Sequence, residues 1–573
     1  MSFNFFKKKR YLNKDINPED IFVDAGGVAQ FDEDSFEGRF EKPINESMYL
    51  FIGAFFLVLI FIFTVKAFKV QIVDSAKWKS IAENNYIKKS PEFAMRGNIK
   101  DRNGVVLAWN ETNRESVGTN IPKRRYVSAT GFSNLLGYVS YPKRDTSGNF
   151  WQADFIGMDG VEKQYNEALA GVMGERIYEV SANGKITKDN IVKFPVEGES
   201  LTLNIDSRVQ KYFYNHLKEV VDAQNFRGGS AVMMDVNTGD VIAIVSYPEY
   251  NNNLYTNATS TEDKAKKQSY LSDKTTPMSN RAIGSGFVPG SVVKPFMAYA
   301  ALYEGVIDQY KNIFSSGQLV VKNKYGGQDT IFRDWKAHGY TDVRKAIAES
   351  SDEYFYQVGG GYQDQEGLGI TRIEKYMKAF GFDSATGIDL PRELVGNIPD
   401  PAWKEKNFAD GDWLLGDTYH ASIGQSGYQT NAIELARSIA AIANGGKLVT
   451  PKVASTTANN MIDDSKVITD IKMDESILKI VREGMRASAG SGGTAHYFED
   501  LPFKVAAKTG TAELGYKNEY VNSWSTGYFP YENPKYVFVF MMEKGPVSNT
   551  VASSKVMRKV FQDILDNAPE YTK

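Results

Sequence analysis

The chain has 573 residues, of which 42% are apolar, so it can bury more than one hydrophobic core. Its formal net charge of −3 is small for this length and gives no general attraction to nucleic acid. Cysteine is absent, which excludes disulfides, thiolate metal ligands, a cysteine nucleophile and a lipidated cysteine. We therefore expect two or three folded units, stabilised by packing alone, with no nucleic-acid partner.

The most apolar segment lies near the N-terminus. Residues 48–65 (MYLFIGAFFLVLIFIFTV) run for 18 residues without a charge, near the shortest length that crosses a hydrocarbon layer of about 30 Å. A cleaved signal peptide has a short basic start and a small-residue cleavage site, whereas here 47 residues precede the apolar segment and Lys66-Ala67-Phe68-Lys69 follows it. We predict a retained transmembrane helix over 48–65, with a buried core helix as the alternative.

The next 130 residues or so alternate short strand-like runs with polar turns. Residues 102–107 (RNGVVL) are an example, in which Asn-Gly favours a tight hairpin turn. Residues 194–198 (FPVEG) have linker composition, and a new strand pattern begins at Leu201. We therefore place a domain boundary near residue 195, which gives an irregular domain over 66–195 and a second domain over 196–573.

The second domain combines strands at both ends with helices between them. Residues 230–235 and 240–245 predict a hairpin, and strands are predicted over 503–512, 523–529 and 536–543. Their β-branched and aromatic content favours a central antiparallel sheet covered by helices, an α+β fold. A last helix is predicted over 555–567.

Three short motifs in this second domain carry side chains suited to acyl transfer without histidine. They are Ser291-Val-Val-Lys294, Ser350-Ser351-Asp352 and Lys508-Thr509-Gly510-Thr511. Ser-x-x-Lys alone should arise by chance about two or three times in a chain of this length. The prediction therefore rests on the order of the motifs and on the residues around them.

The first motif supplies a nucleophile and a base. A turn at Pro289-Gly290 precedes a predicted helix, on which a spacing of three puts Ser291 and Lys294 on one face. A partly buried lysine near other cations can lose its proton near neutral pH, so Lys294 can act as the general base. The four histidines are scattered and none forms a ligand pair, so we expect neither a metal nor a cofactor; they are His216, His338, His420 and His496.

Longer motifs carry a family resemblance. Residues 96–104 (RGNIKDRNG), 160–165 (GVEKQY) and 280–282 (NRA), followed by Pro289-Gly290-Ser291, resemble the class B, monofunctional penicillin-binding proteins. The resemblance covers roughly residues 66–565.

Two further segments are most similar to the penicillin-binding protein 2 branch of the elongation machinery. They are residues 348–356 (AESSDEYFY) and 416–425 (GDTYHASIGQ). Division-type relatives usually carry asparagine where Asp352 stands. Val292 departs from the threonine that is common in the family, a change that leaves the chemistry intact.

The resemblance implies a peptidoglycan D,D-transpeptidase of cell elongation and cell-shape maintenance. Ser291 would attack the D-Ala-D-Ala carbonyl of one stem peptide, release D-Ala and pass the acyl group to an amine of another. β-Lactams would acylate the same serine. The implied fold is a five-stranded antiparallel sheet flanked by helices, preceded by a pedestal or dimerisation-type domain, here residues 66–195.

The resemblance also implies roles for the motif residues. Ser350 would relay a proton to the leaving amine, and Asp352 would orient Lys294 or Ser350. Lys508 and the hydroxyls of Thr509 and Thr511 would hold the terminal carboxylate, and Gly510 would let the strand lie close to the peptide. Backbone N–H groups of Ser291 and Thr511 would form the oxyanion hole. For Ser350 and Asp352, a helix N-cap is a simpler alternative that is compatible with catalysis.

The implied location is the cell membrane, with the catalytic domain outside the cytoplasm and a disordered acidic tail over residues 1–47 inside it. Local charge argues against this orientation, because Lys66, Lys69, Lys77 and Lys79 follow the apolar segment. A basic cluster at residues 7–10 and the size of the trailing domain argue for it.

The implied partners are a SEDS-family glycosyltransferase and other elongation-complex proteins. Three alternatives remain open: a division-type transpeptidase, a D,D-carboxypeptidase or β-lactamase that uses water as acceptor, and a β-lactam sensor or non-catalytic scaffold.

Overall fold

The computed structural model describes residues 45–111, 121–128, 130–146, 150–180, 186–323, 326–409, 411–457, 467–549 and 551–573. The tail predicted over 1–47 therefore lies almost wholly outside the described residues. The chain divides into two compact units, one ending at Tyr86 and the other spanning Ile87–Lys573.

The first unit is helical. It consists of α1 (Glu46–Phe68), a short π-helix (Lys69–Val73) and α2 (Ser75–Tyr86). Among the described residues, Glu46–Val73 is the one helical run long and apolar enough to cross a membrane. No residue of α1 is buried, which suits contact with lipid and not the alternative of a core helix.

The second unit begins with short strands and helices. The strands are β1 (Ile87–Glu92), β2 (Ile99–Lys100), β3 (Val106–Glu111), β4 (Lys123–Tyr126), β5 (Val139–Ser140), β6 (Lys143–Arg144), β7 (Phe150–Gln152), β8 (Ile156–Gly157), β9 (Gly174–Val180), β10 (Ile186–Lys193) and β11 (Leu201–Leu203). The helices are α3 (Ser133–Leu136), α4 (Gly160–Gln164) and α5 (Asn166–Ala170).

The remainder is longer and more regular. Its helices are α6 (Ser207–Ala223), α7 (Asn252–Asn257), α8 (Thr261–Ser272), α9 (Lys294–Tyr303), α10 (Val343–Glu349), α11 (Asp352–Gly360), α12 (Gly369–Ala379), α13 (Pro401–Asn407), α14 (Leu415–Ser422), α15 (Ala432–Ala443), α16 (Glu475–Ser488) and α17 (Ser553–Asn567). Short 3-10 helices span Gly290–Val293, His496–Phe498 and Pro569–Thr572.

The strands of this remainder form one large sheet and several two-stranded ladders. They are β12 (Gly228–Asp235), β13 (Val241–Tyr247), β14 (Ile313–Ser315), β15 (Gln318–Val321), β16 (Thr330–Arg333), β17 (Gly339–Thr341), β18 (Lys447–Val449), β19 (Ala454–Thr457), β20 (Val467–Asp470), β21 (Ala506–Leu514), β22 (Tyr520–Phe529) and β23 (Tyr536–Pro546).

The large sheet has the order β13-β12-β23-β22-β21, with every neighbouring pair antiparallel. Strand alternation sorts its side chains onto two buried faces. Val232 and Met234 join the core that contains α9 and α15, while Ala231 and Met233 join the core that contains α6 and α17. The predicted α+β fold, with a five-stranded antiparallel sheet flanked by helices, is confirmed. The ladders β14–β17 and β15–β16 were not predicted.

The predicted hairpin around Asn103-Gly104 is present as β2 and β3. One carboxylate oxygen of Asp101 accepts hydrogen bonds from the N–H groups of Asn103 and Val105, both at 2.8 Å. The other oxygen accepts the Ser207 hydroxyl at 2.6 Å, at the start of α6. Asp101 therefore closes the hairpin and attaches it to the main fold.

A second sheet, β19-β11-β2-β3-β4, contains strands from both sides of residue 195. The division into domains over 66–195 and 196–573 stays a prediction, because strands from both ranges pair within this one sheet.

The motifs at residues 96–104 and 160–165 meet in a buried ion cluster. Both carboxylate oxygens of Glu162 are occupied, one by Arg96 Nε at 2.5 Å and the other by Arg124 Nε at 2.7 Å. All three side chains are buried. Although burial raises the pKa of Glu162, the charges of Arg124 and Arg96 outweigh it and lower that pKa below its usual value. We call these three residues the Glu162 cluster.

Candidate active site

The three motifs meet at the free edge of the large sheet. Ser291 lies in the 3-10 helix Gly290–Val293, directly before α9, and the motif that begins at Lys508 lies on the edge strand β21. A Cβ on Gly510 would come within 2.8 Å of Pro289 O and of the Val292 side chain. Glycine at 510 thus lets β21 lie against the helix that carries Ser291, a packing reason besides the predicted approach of a peptide.

Lys294 is fully buried at the start of α9, and Pro295 follows in the first turn as predicted. Its Nζ donates hydrogen bonds to Asp352 Oδ1 at 2.6 Å and to Ser350 O at 2.7 Å, and lies 3.3 Å from Ser350 Oγ. The second motif therefore fixes the lysine of the first.

Ser350 occupies a left-handed backbone conformation, with φ 60° and ψ 42°, at the end of α10. Such a conformation is unfavourable by about 1–2 kcal/mol for a residue with a Cβ, and the surrounding contacts must hold it. The cap of the next helix is Ser351, whose hydroxyl accepts the Tyr354 N–H at 3.3 Å. The N-cap alternative for Ser350 and Asp352 is therefore wrong, because Ser350 ends a helix and Asp352 is the first residue of α11.

Lys508 is also fully buried and meets the same serine. Its Nζ donates hydrogen bonds to Ser350 Oγ and to Thr509 O, both at 2.8 Å. Burial, reinforced by the nearby charge of Lys294, lowers the pKa of the Lys508 amine well below its usual value, and Asp352 only partly opposes this. Ser350 Oγ thus lies between two lysine amines, and burial favours the neutral form of one of them, Lys508.

A cleft of about 780 Å³ opens in front of these residues. Its lining includes Ser291, Ser350, Asp352 and residues 509–511, whereas Lys508 lies behind it. Among the described residues, the Ser291 hydroxyl has no hydrogen-bond partner, and Ser291 borders the cleft. Another cavity, of about 350 Å³, is lined by residues such as Asp159 and Arg392 and contains none of the three motifs.

A supporting network behind the second motif was not predicted. The buried carboxylate of Asp334 accepts the Ser351 hydroxyl at 2.9 Å and the Glu353 N–H at 2.8 Å. His338 bridges Asp334, at 3.4 Å from Nε2, and Glu349, at 2.9 Å from Nδ1. Burial raises the pKa of Asp334, but the hydrogen bonds from His338 and the Glu353 N–H, with the charge of Lys294, lower it overall. In the sequence, this network is visible only as the spacing Asp334-x-x-x-His338 in a loop. That spacing matches no known motif, so it could not predict the network.

Comparison with known families and relatives agrees with this geometry. Residues 229–566 match the penicillin-binding protein transpeptidase domain, and residues 117–203 match the penicillin-binding protein dimerisation domain. Peptidoglycan D,D-transpeptidase MrdA of Haemophilus influenzae is 32% identical over 484 residues, which cover 78% of this chain and 71% of the relative.

Two solved structures are similar over most of their length. Pseudomonas aeruginosa PBP2 in complex with WCK 5153 has 28% identity and a TM-score of 0.69, covering 85% of this chain and 98% of that one. Helicobacter pylori PBP2, in a complex with MreC, has 27% identity and a TM-score of 0.68, covering 84% and 99%. The chain therefore belongs to the penicillin-binding protein transpeptidase family, as a class B protein of the penicillin-binding protein 2 kind.

Proposed function

We propose that this chain crosslinks peptidoglycan during cell elongation by a two-step acyl transfer through Ser291. The observation that carries the proposal is the buried chain of contacts Lys294–Ser350–Lys508 beside a serine hydroxyl that faces the cleft. The substrate class is a stem peptide that ends in D-Ala-D-Ala. No cofactor takes part in the proposed chemistry.

In the first step, Ser291 Oγ attacks the carbonyl carbon of the penultimate D-Ala. The hydroxyl proton passes to a neutral Lys294 amine, and the C–N bond to the terminal D-Ala breaks. The leaving amine takes a proton through Ser350 Oγ, and an acyl ester on Ser291 remains. In the second step, the amine of another stem peptide attacks this ester, and the proton that it loses returns to Ser291.

Lys294 must be neutral to accept a proton, although it is paired with Asp352 at rest. Two charged amines on either side of one hydroxyl would repel each other, and burial already favours the neutral form of Lys508. We therefore assign Lys508 the neutral form and Ser350 the role of a proton relay: the proton that Lys294 takes from Ser291 passes through Ser350 Oγ to the leaving amine. Asp352 orients Lys294 through the 2.6 Å contact.

Thr509 and Thr511 line the cleft and are assigned to the terminal carboxylate of the substrate. Lys508 lies behind this surface and acts through its hydrogen bond to Ser350 Oγ. The backbone N–H groups of Ser291 and Thr511 are assigned to the oxyanion, since both residues border the cleft.

Residues 66–195 are assigned as a pedestal that contacts other proteins of the elongation complex, because they include most of the segment that matches the dimerisation domain. A solved relative forms a complex with MreC, and this chain is assigned a comparable partner, together with a SEDS-family glycosyltransferase that supplies glycan strands. The apolar helix is assigned as a single-pass anchor in the cell membrane, with the catalytic unit outside the cytoplasm.

Acylation by a fluorescent penicillin tests the catalytic proposal. Full-length protein in detergent should take one label, seen on a gel and as one added mass, and Ser291→Ala should take none. Ser285→Ala, at a nearby serine outside the motifs, is a matched control that should keep the label. A label that persists for hours supports a transpeptidase over a β-lactamase. Folded protein that takes no label would overturn the proposal and favour the scaffold.

A further inference from the structure

One wall of the cleft carries an arginine that the proposed mechanism does not use. Arg333 is the last residue of β16 and lines the cleft together with Trp335, and both side chains are exposed. Asp334, between them, is buried and holds Ser351 and the Glu353 N–H. This wall is thus attached directly to the loop that contains the second motif.

The position of Arg333 is fixed from behind. Phe332 packs its ring against Tyr419, with centroids 4.9 Å apart, and against Tyr356 at 5.9 Å. The Tyr356 hydroxyl donates a hydrogen bond to Arg333 O at 3.3 Å. Both tyrosines are buried in the helices behind the cleft. These contacts hold the backbone at 333 in place, and the Arg333 side chain extends from it at the cleft wall.

No described residue compensates the charge of Arg333. Among the residues that line the cleft it is the one lysine or arginine. Asp352 is paired with Lys294, and Glu513 accepts a hydrogen bond from Asn518 at 2.6 Å. Within the part of the chain that the structure describes, the Arg333 guanidinium has neither a carboxylate nor a hydrogen-bond acceptor. An exposed arginine is often simply solvated, but this one is held on a fixed wall of the cleft that contains Ser291.

We propose that Arg333 binds a free carboxylate of the stem-peptide substrate, apart from the terminal carboxylate assigned to Thr509 and Thr511. The inference rests on the proposed function and names part of the substrate. A guanidinium can donate two parallel N–H···O hydrogen bonds to a carboxylate, which a lysine cannot reproduce. Trp335 offers a flat apolar surface beside it for an aliphatic segment of the peptide.

Stem peptides offer this carboxylate in two places. A D-glutamate that is linked through its side chain keeps a free α-carboxylate, and a diamino diacid keeps a carboxylate beside its side-chain amine. The first group can be presented by the donor peptide and the second by the acceptor peptide. Both can also be amidated, which removes the charge and leaves the size almost unchanged.

The test measures peptide transfer with full-length protein in detergent. Synthetic donors carry D-glutamate with a free or an amidated α-carboxyl, and synthetic acceptors carry the diamino diacid with a free or an amidated carboxyl. Rates for wild type and Arg333→Gln are divided by the number of sites that a fluorescent penicillin labels. Lys322→Gln is the matched control, since it removes a positive charge from the β15–β16 hairpin outside the cleft.

We expect one of the two amidations to lower wild-type transfer about 10- to 100-fold, the range for loss of a hydrogen bond to a charged group. Arg333→Gln should lower the rate of peptide transfer by a similar factor when the substrate carries the free carboxylate. Amidation of that carboxylate should lower the rate of the variant no further. If only amidation of the donor shows this dependence on Arg333, the carboxylate that Arg333 binds belongs to the donor peptide. If only amidation of the acceptor shows it, the carboxylate belongs to the acceptor peptide. Lys322→Gln should follow wild type.

Two results would overturn the inference. In the first, wild type is acylated by penicillin, yet neither amidation lowers its transfer rate more than that of Arg333→Gln. The inference alone then fails. In the second, wild type takes no label at Ser291, so the proposed function fails and the inference falls with it. The penicillin label therefore separates the two failures.

Discussion

Two clusters in this chain each contain two buried basic side chains and one carboxylate. In the Glu162 cluster both bases are arginines, and each of the two carboxylate oxygens has its own arginine. In the active site both bases are lysines, and Asp352 contacts only Lys294. The second base, Lys508, meets a serine hydroxyl in place of a carboxylate.

The difference lies in what each set of charges can do. An arginine keeps its proton at any ordinary pH, so the Glu162 cluster is a fixed cross-link between segments that are far apart in sequence. A buried lysine can release its proton, and the pKa of Lys508 is lowered by burial and by Lys294. We therefore propose that the Glu162 cluster stabilises the fold, whereas the lysines of the active site exchange protons.

The largest effect should come from Lys294→Met. The substitution removes the proposed base and leaves Asp352 without its charge partner, so the rate of penicillin acylation should fall about 10²- to 10⁴-fold. The rate is measured from label against time, with Lys322→Met as a control for loss of a lysine. A rate within threefold of wild type would exclude Lys294 as the base.

Glu162→Gln should act on stability and not on chemistry. Two buried guanidinium groups would lose their countercharge, which typically destabilises a protein by about 3–5 kcal/mol. Denaturant unfolding measures this loss, while the acylation rate per folded molecule should stay unchanged. An equally stable variant would show that the cluster contributes little.

The same cluster predicts an acid response. Because the pKa of Glu162 is lowered by folding, its stabilising contribution is present above the usual value of about 4.5 and is lost as the pH falls through the lowered value. The stability difference between wild type and Glu162→Gln should therefore shrink on acidification in this range. A difference that is constant with pH would contradict the assignment.

The lowered pKa of Lys508 predicts a change of stability at alkaline pH. Its pKa is lowered by folding, so the unfolded chain binds the extra proton between that value and about 10.5. The stability of wild type relative to Lys508→Met should therefore increase as the pH rises through this range. Unfolding curves of both proteins between pH 7 and 10 measure the slope, and a relative stability that does not rise with pH would show that the folded lysine retains its proton.

The smallest effect is expected for Ser351→Ala. The variant removes the cap of α11 and the 2.9 Å contact to Asp334, and loss of such a cap typically costs about 1 kcal/mol. The midpoint of denaturant unfolding should fall accordingly. Ser316→Ala, at an exposed serine that does not cap a helix, is the comparison. A larger loss for Ser316→Ala would contradict the role of Ser351.

Much of this arrangement could be predicted from sequence, for identifiable reasons. The strand segments at 230–245 and 503–543 are rich in β-branched and aromatic residues, so the sheet followed from them. The three motifs are short and local, and their order marked the site. Gly510 was singled out for a close approach, although the group that it approaches inside the protein is the helix of Ser291.

The rest depended on contacts between distant segments. Asp334 contacts Ser351 because the β15–β16 hairpin folds against α11, and no local sequence pattern predicts that contact. The left-handed conformation of Ser350 is equally invisible, because serine has no preference for it. The hydrogen bond from Lys508 to Ser350 Oγ also needed the structure.

The most direct test of the central claim is the acylation rate of Lys294→Arg. This variant keeps a positive charge that can pair with Asp352 but cannot accept the Ser291 proton at neutral pH. If mobile protons distinguish the active site from the Glu162 cluster, penicillin acylation should fall to within tenfold of the Lys294→Met rate. A rate close to wild type would show that charge alone suffices and would contradict the account.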